Sequence, residues 1–269
     1  MKKASLVIPT KDKLSRLRLV LKALESQVNE AVEVLVIFDG CNQETLVDFQ
    51  NLQLSFTPVT IVHEQNLGRA RARNSGIGKA SGEIVIFLDD DRIPGPGFVE
   101  GHIKRHEKGR YAVIGERNDL NYPEAMLETM YYEGFTPAVF ERMEQNAIKE
   151  PNGLMKKLNR RIFGSLVECV TFSTGNSSAR RRDLLEIGMF DEGFSGWGVE
   201  DMDLGYRLIK SGVKVIRDYS IVNYHLVHPV DRTRQVEEYW RNLNYFLNKI
   251  KDDKMAVLMA KLLSVIIYR

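Results

Sequence analysis

The chain has 269 residues, enough to bury a full core in one large domain or in one domain with an appended subdomain. Its 38 Lys and Arg against 36 Asp and Glu give a net charge of +2, so no global basic field recruits nucleic acid and any phosphate binding must be local. Cys41 and Cys169 form no CxxC pair, which argues against a structural zinc site and a disulfide framework, and no stretch reaches the roughly 18 apolar residues of a membrane-spanning helix.

Met1 to Pro9 has a basic flank but too short an apolar run for a secretory signal, and it reads as a buried first strand; the expected location is the cytoplasm. Ser5 to Ile8, Val32 to Phe38, Val59 to Val62 and Ile84 to Leu88 are rich in Val, Ile and Phe without polar alternation, as strands covered on both faces are. Between the first two, Leu14, Leu17, Leu21, Leu24 and Val28 recur three or four apart along Lys11 to Val28, one apolar helical stripe. Further helices are expected at Glu44 to Leu54 and Leu67 to Ala80. This βαβαβαβ pattern predicts an α/β fold with a mostly parallel, doubly wound sheet flanked by helices. Ligands of such sheets sit beyond the carboxyl ends of the strands, where this chain places Pro9-Thr10, Asp39-Gly40 and Asp89-Asp90-Asp91.

After Arg110 the regularity weakens. Tyr122 to Gly164 holds helical pieces and a basic stretch, Lys156 to Arg161, which reads as a solvated helix and loop in preference to an acceptor-binding lid. An apolar run follows from Leu166 to Phe172, then helices near Arg182 to Glu186 and from Glu200, and strands near Val213 to Ile216 and Ile221 to Tyr224. Arg232 to Arg269 reads as two C-terminal helices. The expected division is a domain over 1–230, with a nucleotide-binding half (1–110) and an acceptor or catalytic half (165–230), and a helical extension over 231–269. Lys249, Lys251, Lys254 and Lys261 beside Leu, Val and Ile in that extension fit a membrane-surface or subunit contact, or a helix packed on the core, and packing is the preferred reading.

Three carboxylates directly after a buried strand repel one another and are costly to desolvate, and a hard divalent cation, Mg²⁺ or Mn²⁺, resolves both problems. Alternation along an extended chain would send Asp89 and Asp91 to one side and Asp90 to the other. At this point Val7-Ile8-Pro9-Thr10, Asp39, Asn66 to Gly76 and Ile84 to Asp91 together resemble the family-2 glycosyltransferases of the GT-A (Rossmann-like) fold. The resemblance implies a UDP-sugar donor. Nucleotide contacts would come from Pro9, Thr10, Asp39 (accepting the uracil N3–H), Asn66, Arg73, Asp89 and Asp90, and Asp91 would ligate the metal with Asp89 in reach.

In the second half, Phe194-Ser195-Gly196-Trp197-Gly198-Val199-Glu200-Asp201 sets two glycines around a tryptophan and opens a helix on a carboxylate pair. Simple dipole capping explains one acid but not the Gly-Trp-Gly before it. The stretch resembles the Trp-Gly-x-Glu-Asp motif of β-1,4-galactosyltransferases and, less closely, of polypeptide GalNAc-transferases, which carry Asn where Asp201 stands. By that resemblance Asp201 is the general base of an inverting transfer, Glu200, Trp197 and Gly198 bind the acceptor or sugar, and Asn176 lies near the donor sugar. His225 and His228, following a predicted strand, are the candidates to complete the metal site, with His225 preferred.

The expected activity is therefore an inverting, metal-dependent transfer of a hexose or N-acetylhexosamine to a glycan, glycolipid, peptide or metabolite. The alternative is a catalytically silent UDP-sugar-binding subunit or sensor, against which the presence of Asp91, Glu200 and Asp201 speaks. The Pro9-Thr10-Lys11-Asp12 turn lacks the glycine-rich phosphate loop of a nucleotidyltransferase or dehydrogenase.

Overall fold

The computed structural model describes residues 2–149 and 172–267. The basic stretch 156–161, Cys169 and all but the last residue of the apolar run 166–172 lie outside the described residues.

The first half is β1 (Ala4–Thr10), α1 (Leu14–Leu24), β2 (Val32–Asp39), α2 (Gln43–Gln50), β3 (Val59–His63), α3 (Arg69–Lys79) and β4 (Ile84–Leu88). Its strands run parallel in the order β3-β2-β1-β4. Side chains alternate across the sheet, yet both sets are apolar because both faces are covered. Val7, Leu35, Ile37, Val85 and Phe87 pack with Ala70, Ala72 and Ile77 on one face. Leu6, Ile8, Val36, Phe38 and Ile86 pack with Leu17, Val20, Leu21 and Leu24 of α1 on the other. Two-sided cover is the physical reason for the missing polar alternation.

The second half is β5 (Arg92–Pro94), α4 (Phe98–His106), β6 (Tyr111–Leu120), α5 (Glu124–Glu133), α6 (Pro137–Asn146), β7 (Ile148–Lys149), β8 (Asn176–Arg180), α7 (Arg181–Glu186), α8 (Glu200–Lys210), β9 (Lys214–Leu226), α9 (Arg232–Lys249) and α10 (Lys254–Ile267). The sheet continues β4-β8-β6-β9-β5, with β7 beside β6. The helix-flanked, doubly wound α/β architecture stands as expected. Beyond it, β8 is wedged antiparallel between β4 and β6, and β9 runs parallel to β6. The two strands expected at 213–216 and 221–224 are one strand, β9, whose pairing with β6 shifts register between Ile114 and Glu116.

This topology assembles the site. Pairing of Leu88 with Asn176 sets the entry to β8 against the end of β4. Pairing of Arg92 with His225 brings the end of β9 to the same place. The two C-terminal helices form as expected and enclose a core of Phe194, Val199, Met202, Tyr239, Leu243, Phe246 and Met259. Met255, Leu258 and Leu262 of α10 remain exposed. Among the described residues no helix is long and apolar enough to cross a membrane.

Candidate active site

Past Leu88 the chain does not stay extended. The Arg92 N–H bonds the Asp89 carbonyl at 3.2 Å, closing a turn over the three carboxylates. The alternation expected of an extended strand is therefore corrected: Asp90 and Asp91 both reach Lys13, while Asp89 turns to arginines. Lys13 Nζ lies 2.9 Å from Asp91 Oδ2 and 3.5 Å from Asp90 Oδ1. Thr10 Oγ1 donates to Asp90 Oδ2 at 2.8 Å. Burial and the neighbouring Asp91 push the Asp90 carboxyl up to about 7. Burial acts the same way on Asp91, but His228 and Lys13 outweigh it and hold that carboxyl far below the usual range.

Asp91, His225 and His228 each offer a ligand atom, all within 4.8 Å of one another. One carboxylate and two imidazoles are a donor set that suits a first-row divalent cation, and the nitrogens favour Mn²⁺ over Mg²⁺. The ammonium of Lys13 lies 3.2 Å from His228 Nε2 as well as beside Asp91, so positive charge already faces this carboxylate. His225 is aimed from behind. Its Nδ1 meets Asp119 Oδ1 at 3.0 Å, and Arg117 holds Asp119 through two bonds of 2.6 and 3.0 Å. With the proton on Nδ1, Nε2 keeps its lone pair for a cation. Burial works against ionisation of Asp119, but His225 and Arg117 hold its carboxyl down at about 2. Asp119→Asn is expected to weaken Mn²⁺ binding about 10- to 100-fold; calorimetric titration with Mn²⁺ checks it, and an unchanged affinity would remove Asp119 from the site. Asp89 does not join this group.

Asp89 instead meets the second motif through one guanidinium. Arg73, 3% exposed, donates from one terminal nitrogen to Asp89 Oδ1 at 3.0 Å and from the other to Glu200 Oε1 at 3.1 Å. Arg92 adds a contact of 3.2 Å to Asp89 Oδ2. Burial alone would raise the Asp89 carboxyl, but Arg92 and Arg73 keep it below the ordinary value. Gly175 packs so close that a Cβ there would collide with Arg92 and Asp89, which explains a glycine at the entry to β8. One residue earlier, the Thr174 N–H reaches Asp201 Oδ2 at 3.4 Å.

Glu200 is 2% exposed, and its Oε2 has no partner among the described residues. A buried carboxylate oxygen without a donor is costly. Burial and the adjacent Glu200 raise the Asp201 carboxyl to about 7. The turn before this pair is strained: Val199, β-branched, sits at φ 75° immediately before the helix, after Gly196 at 77° and Gly198 at 91°. Such a value is an outlier for a β-branched residue and clusters with functional sites. Trp197 is half-buried against this turn's packing, its ring centroid 6.2 Å from that of Tyr239.

The remaining expected residues divide. Asp39 is a brace as well as a candidate uracil contact. It accepts from the Leu67 and Gly68 N–H groups at 2.9 Å each and meets His63 Nδ1 at 2.8 Å, so it shapes the loop that opens α3. Asn66 is exposed and accepts from the Gly68 N–H at 3.0 Å in that loop. Pro9 is half-buried at the end of β1. Asn176, expected near the donor sugar, is 3% exposed, with its side chain bonded inside the sheet. Its Nδ2 donates to the Glu116 and Ile221 carbonyls at 2.9 Å each, and its Oδ1 meets His102 Nε2 at 3.0 Å, so it stitches β8, β6, β9 and α4 together. No motif in the sequence singles out Lys13, Arg92, Asp119 or Arg117. Only the Lys11-Asp12-Lys13 turn, next to an expected strand end, carried a signal that could have found one of them.

The glycosyl transferase family 2 sequence model matches residues 5–186, and the model described as the N-terminal domain of galactosyltransferase matches residues 162–229. An uncharacterized glycosyltransferase of Bacillus subtilis, YfnE, is 28% identical over 92% of this chain and 70% of its own length. Validoxylamine A glucosyltransferase of Streptomyces hygroscopicus subsp. jinggangensis is 30% identical over 91% of this chain and 60% of its own, and chondroitin synthase of Pasteurella multocida is 25% identical over 97% and 28%. The chain thus spans only part of the length of these relatives. In fold, it superposes on GalNAc-T7 solved with UDP, GalNAc and Mn²⁺ at a TM-score of 0.66, with 16% identity over 91% of this chain and 48% of the other. Staphylococcus aureus TarS gives a TM-score of 0.63, with 16% identity over 92% and 39%. The fold is of the GT-A class.

Proposed function

The chain belongs to glycosyl transferase family 2 and is a glycosyltransferase, and from that premise we propose an inverting, divalent-cation-dependent transfer from a UDP-sugar, with Asp201 as general base. The observation that carries this reading is the Arg73 bridge. Asp89, at the end of β4, and Glu200, beside the proposed base, share one guanidinium, so motifs more than a hundred residues apart are tied together at one place.

Around this bridge each residue has a task set by its surroundings. Asp39 and the loop it braces flank the expected uracil site, with Thr10 and Asp90 beside it. Asp91, His225 and His228 would hold Mn²⁺ or Mg²⁺, which supplies positive charge to the diphosphate leaving group. Lys13 and Arg92 add fixed positive charge on the same side. Glu200 offers its unpartnered oxygen to a hydroxyl, and Trp197 offers an apolar ring face to a sugar. Asp201 removes the acceptor hydroxyl proton as that oxygen bonds to the anomeric carbon; the bond from that carbon to the diphosphate oxygen breaks, and its electron pair leaves with UDP. A carboxyl near 7 is matched to this task, because a substantial fraction is ionised at neutral pH and it is still basic enough to accept a proton. Single displacement turns an α-linked donor into a β-linked product.

The test is UDP release from a panel of UDP-hexoses and UDP-N-acetylhexosamines with Mn²⁺, with and without EDTA. The expected result is slow release from one donor, abolished by EDTA. Failure of every donor both to bind, by calorimetry, and to release UDP would reject the reading.

A further inference from the structure

The loop that carries Trp197 does not hold itself. Ser195 to Gly198 has no regular secondary structure, and Gly196, Gly198 and Val199 all have positive φ. A turn with three residues of positive φ within four positions needs donors from elsewhere to fix it. They come from α9, which begins at Arg232, beyond both matched segments.

Asn242 is the centre of this arrangement. It is 3% exposed, and its Nδ2 faces the carbonyls of Ser195 at 3.1 Å, Trp197 at 3.3 Å and Gly198 at 2.9 Å. One turn earlier on the helix, Glu238 Oε2 accepts the Trp197 N–H at 2.8 Å, and Arg234 holds the other oxygen of that carboxylate at 2.8 Å. Arg241 adds a bond of 2.7 Å to the Ser195 carbonyl. The fit is close on the loop side as well. A Cβ on Gly196 would come within 2.5 Å of the Glu238 carboxyl carbon, and one on Gly198 within 3.0 Å of the Tyr239 ring. Three residues of α9, Glu238, Arg241 and Asn242, therefore hydrogen-bond the backbone of this turn, whose next residues are Val199, Glu200 and Asp201.

We propose that Asn242, with Glu238 and Arg241 beside it, is a positioning residue of the active site, fixing the Ser195–Gly198 turn and through it the placement of Trp197 and Asp201. Helix α9 is then part of the support of the active site. The turnover half of the test rests on the glycosyltransfer reading above; the optical half does not.

Trp197 and Trp240 are the two tryptophans of the chain. In a Trp240→Phe background Trp197 is the sole emitter, so its emission maximum and its quenching by acrylamide report on the turn. Asn242→Ala in that background is expected to shift Trp197 emission to the red and increase quenching. UDP binding with Mn²⁺, by calorimetry, should stay within twofold, and kcat for UDP release should fall about 10- to 100-fold, the cost of misplacing a catalytic group by about an ångström. A role confined to stability would lower the melting temperature without splitting kcat from UDP affinity. Arg241→Ala, at the surface, is read alongside and serves alone if Asn242→Ala does not fold; its expected change is in the same direction and smaller. Unchanged Trp197 emission and quenching in the folded variants overturns the proposal. So does a kcat within threefold of the parent. If the parent itself releases no UDP, the activity reading is at fault, and the emission result still decides whether α9 holds the turn.

Discussion

Asp201→Asn is expected to lower kcat for transfer by a factor of about 10² to 10⁴, the usual contribution of a positioned general base, while UDP and Mn²⁺ binding stay within twofold. The side chain keeps its size and can keep its contact with the Thr174 N–H through its one remaining carbonyl oxygen, while it loses the negative charge and the ability to take a proton. The pH dependence follows with a definite sign. The active form is the carboxylate and the raised pKa is about 7, so kcat/KM should be level above pH 7 and fall tenfold per unit below it. Asp90 is also raised to about 7, so the limb needs an assignment. Glu200→Gln provides it. Glu200 is, after burial, the chief cause of the Asp201 shift, so removing its charge should move the limb to lower pH. A limb that stays in place in Glu200→Gln, or persists in the residual activity of Asp201→Asn, would take the base role away from Asp201.

The residues that could be found from sequence share a property: their chemistry is local to a motif. Asp91 follows an apolar strand, and Glu200-Asp201 follows Gly-Trp-Gly, so burial and charge announce themselves within ten residues. What stayed hidden depends on strand insertion. β8, Asn-Ser-Ser-Ala-Arg, reads as a turn, because the polar residues of a central strand are tolerable only if partners arrive from elsewhere. They do arrive. His106 Nε2 and His102 Nδ1 lie 2.8 and 2.9 Å from Ser178 Oγ, and His102 also meets Asn176. The two histidines sit four apart on α4, a helix hidden behind Pro94-Gly95-Pro96-Gly97. Burial lowers them to about 4 and about 3, so both are neutral donors or acceptors at pH 7. The same polar interior explains Asn176: the family resemblance implies a place near the donor sugar, whereas β8 turns the amide into the sheet. Asp119 was illegible for a related reason. β6 begins apolar and ends polar, and only its parallel pairing with β9 sets Asp119 opposite His225.

Arg73→Leu is expected to destabilise the fold by about 3–5 kcal/mol, the cost of stripping one partner from a buried ion pair, measured as a shift in the urea midpoint. Most of that loss falls on Glu200. Asp89 retains Arg92, whereas Glu200 keeps only Arg69, with Nε 3.8 Å away, and has its second oxygen already unpartnered among the described residues. Replacing Glu200 as well separates the two roles of the bridge. Arg73→Leu/Glu200→Leu should recover most of the stability, because apolar residues of similar volume often substitute for a buried pair without loss, yet it should recover none of the activity. The proton affinity of the base gives an independent reading. Arg73 lowers the Asp201 pKa, so its removal should carry the acidic limb above pH 7, opposite in sign to Glu200→Gln. Opposite movements from two groups bonded to each other would identify Asp201 as the titrating base and the Arg73–Glu200 pair as what tunes it. An Arg73→Leu protein with an unchanged urea midpoint would mean instead that the guanidinium does not tie the donor strand to the motif helix.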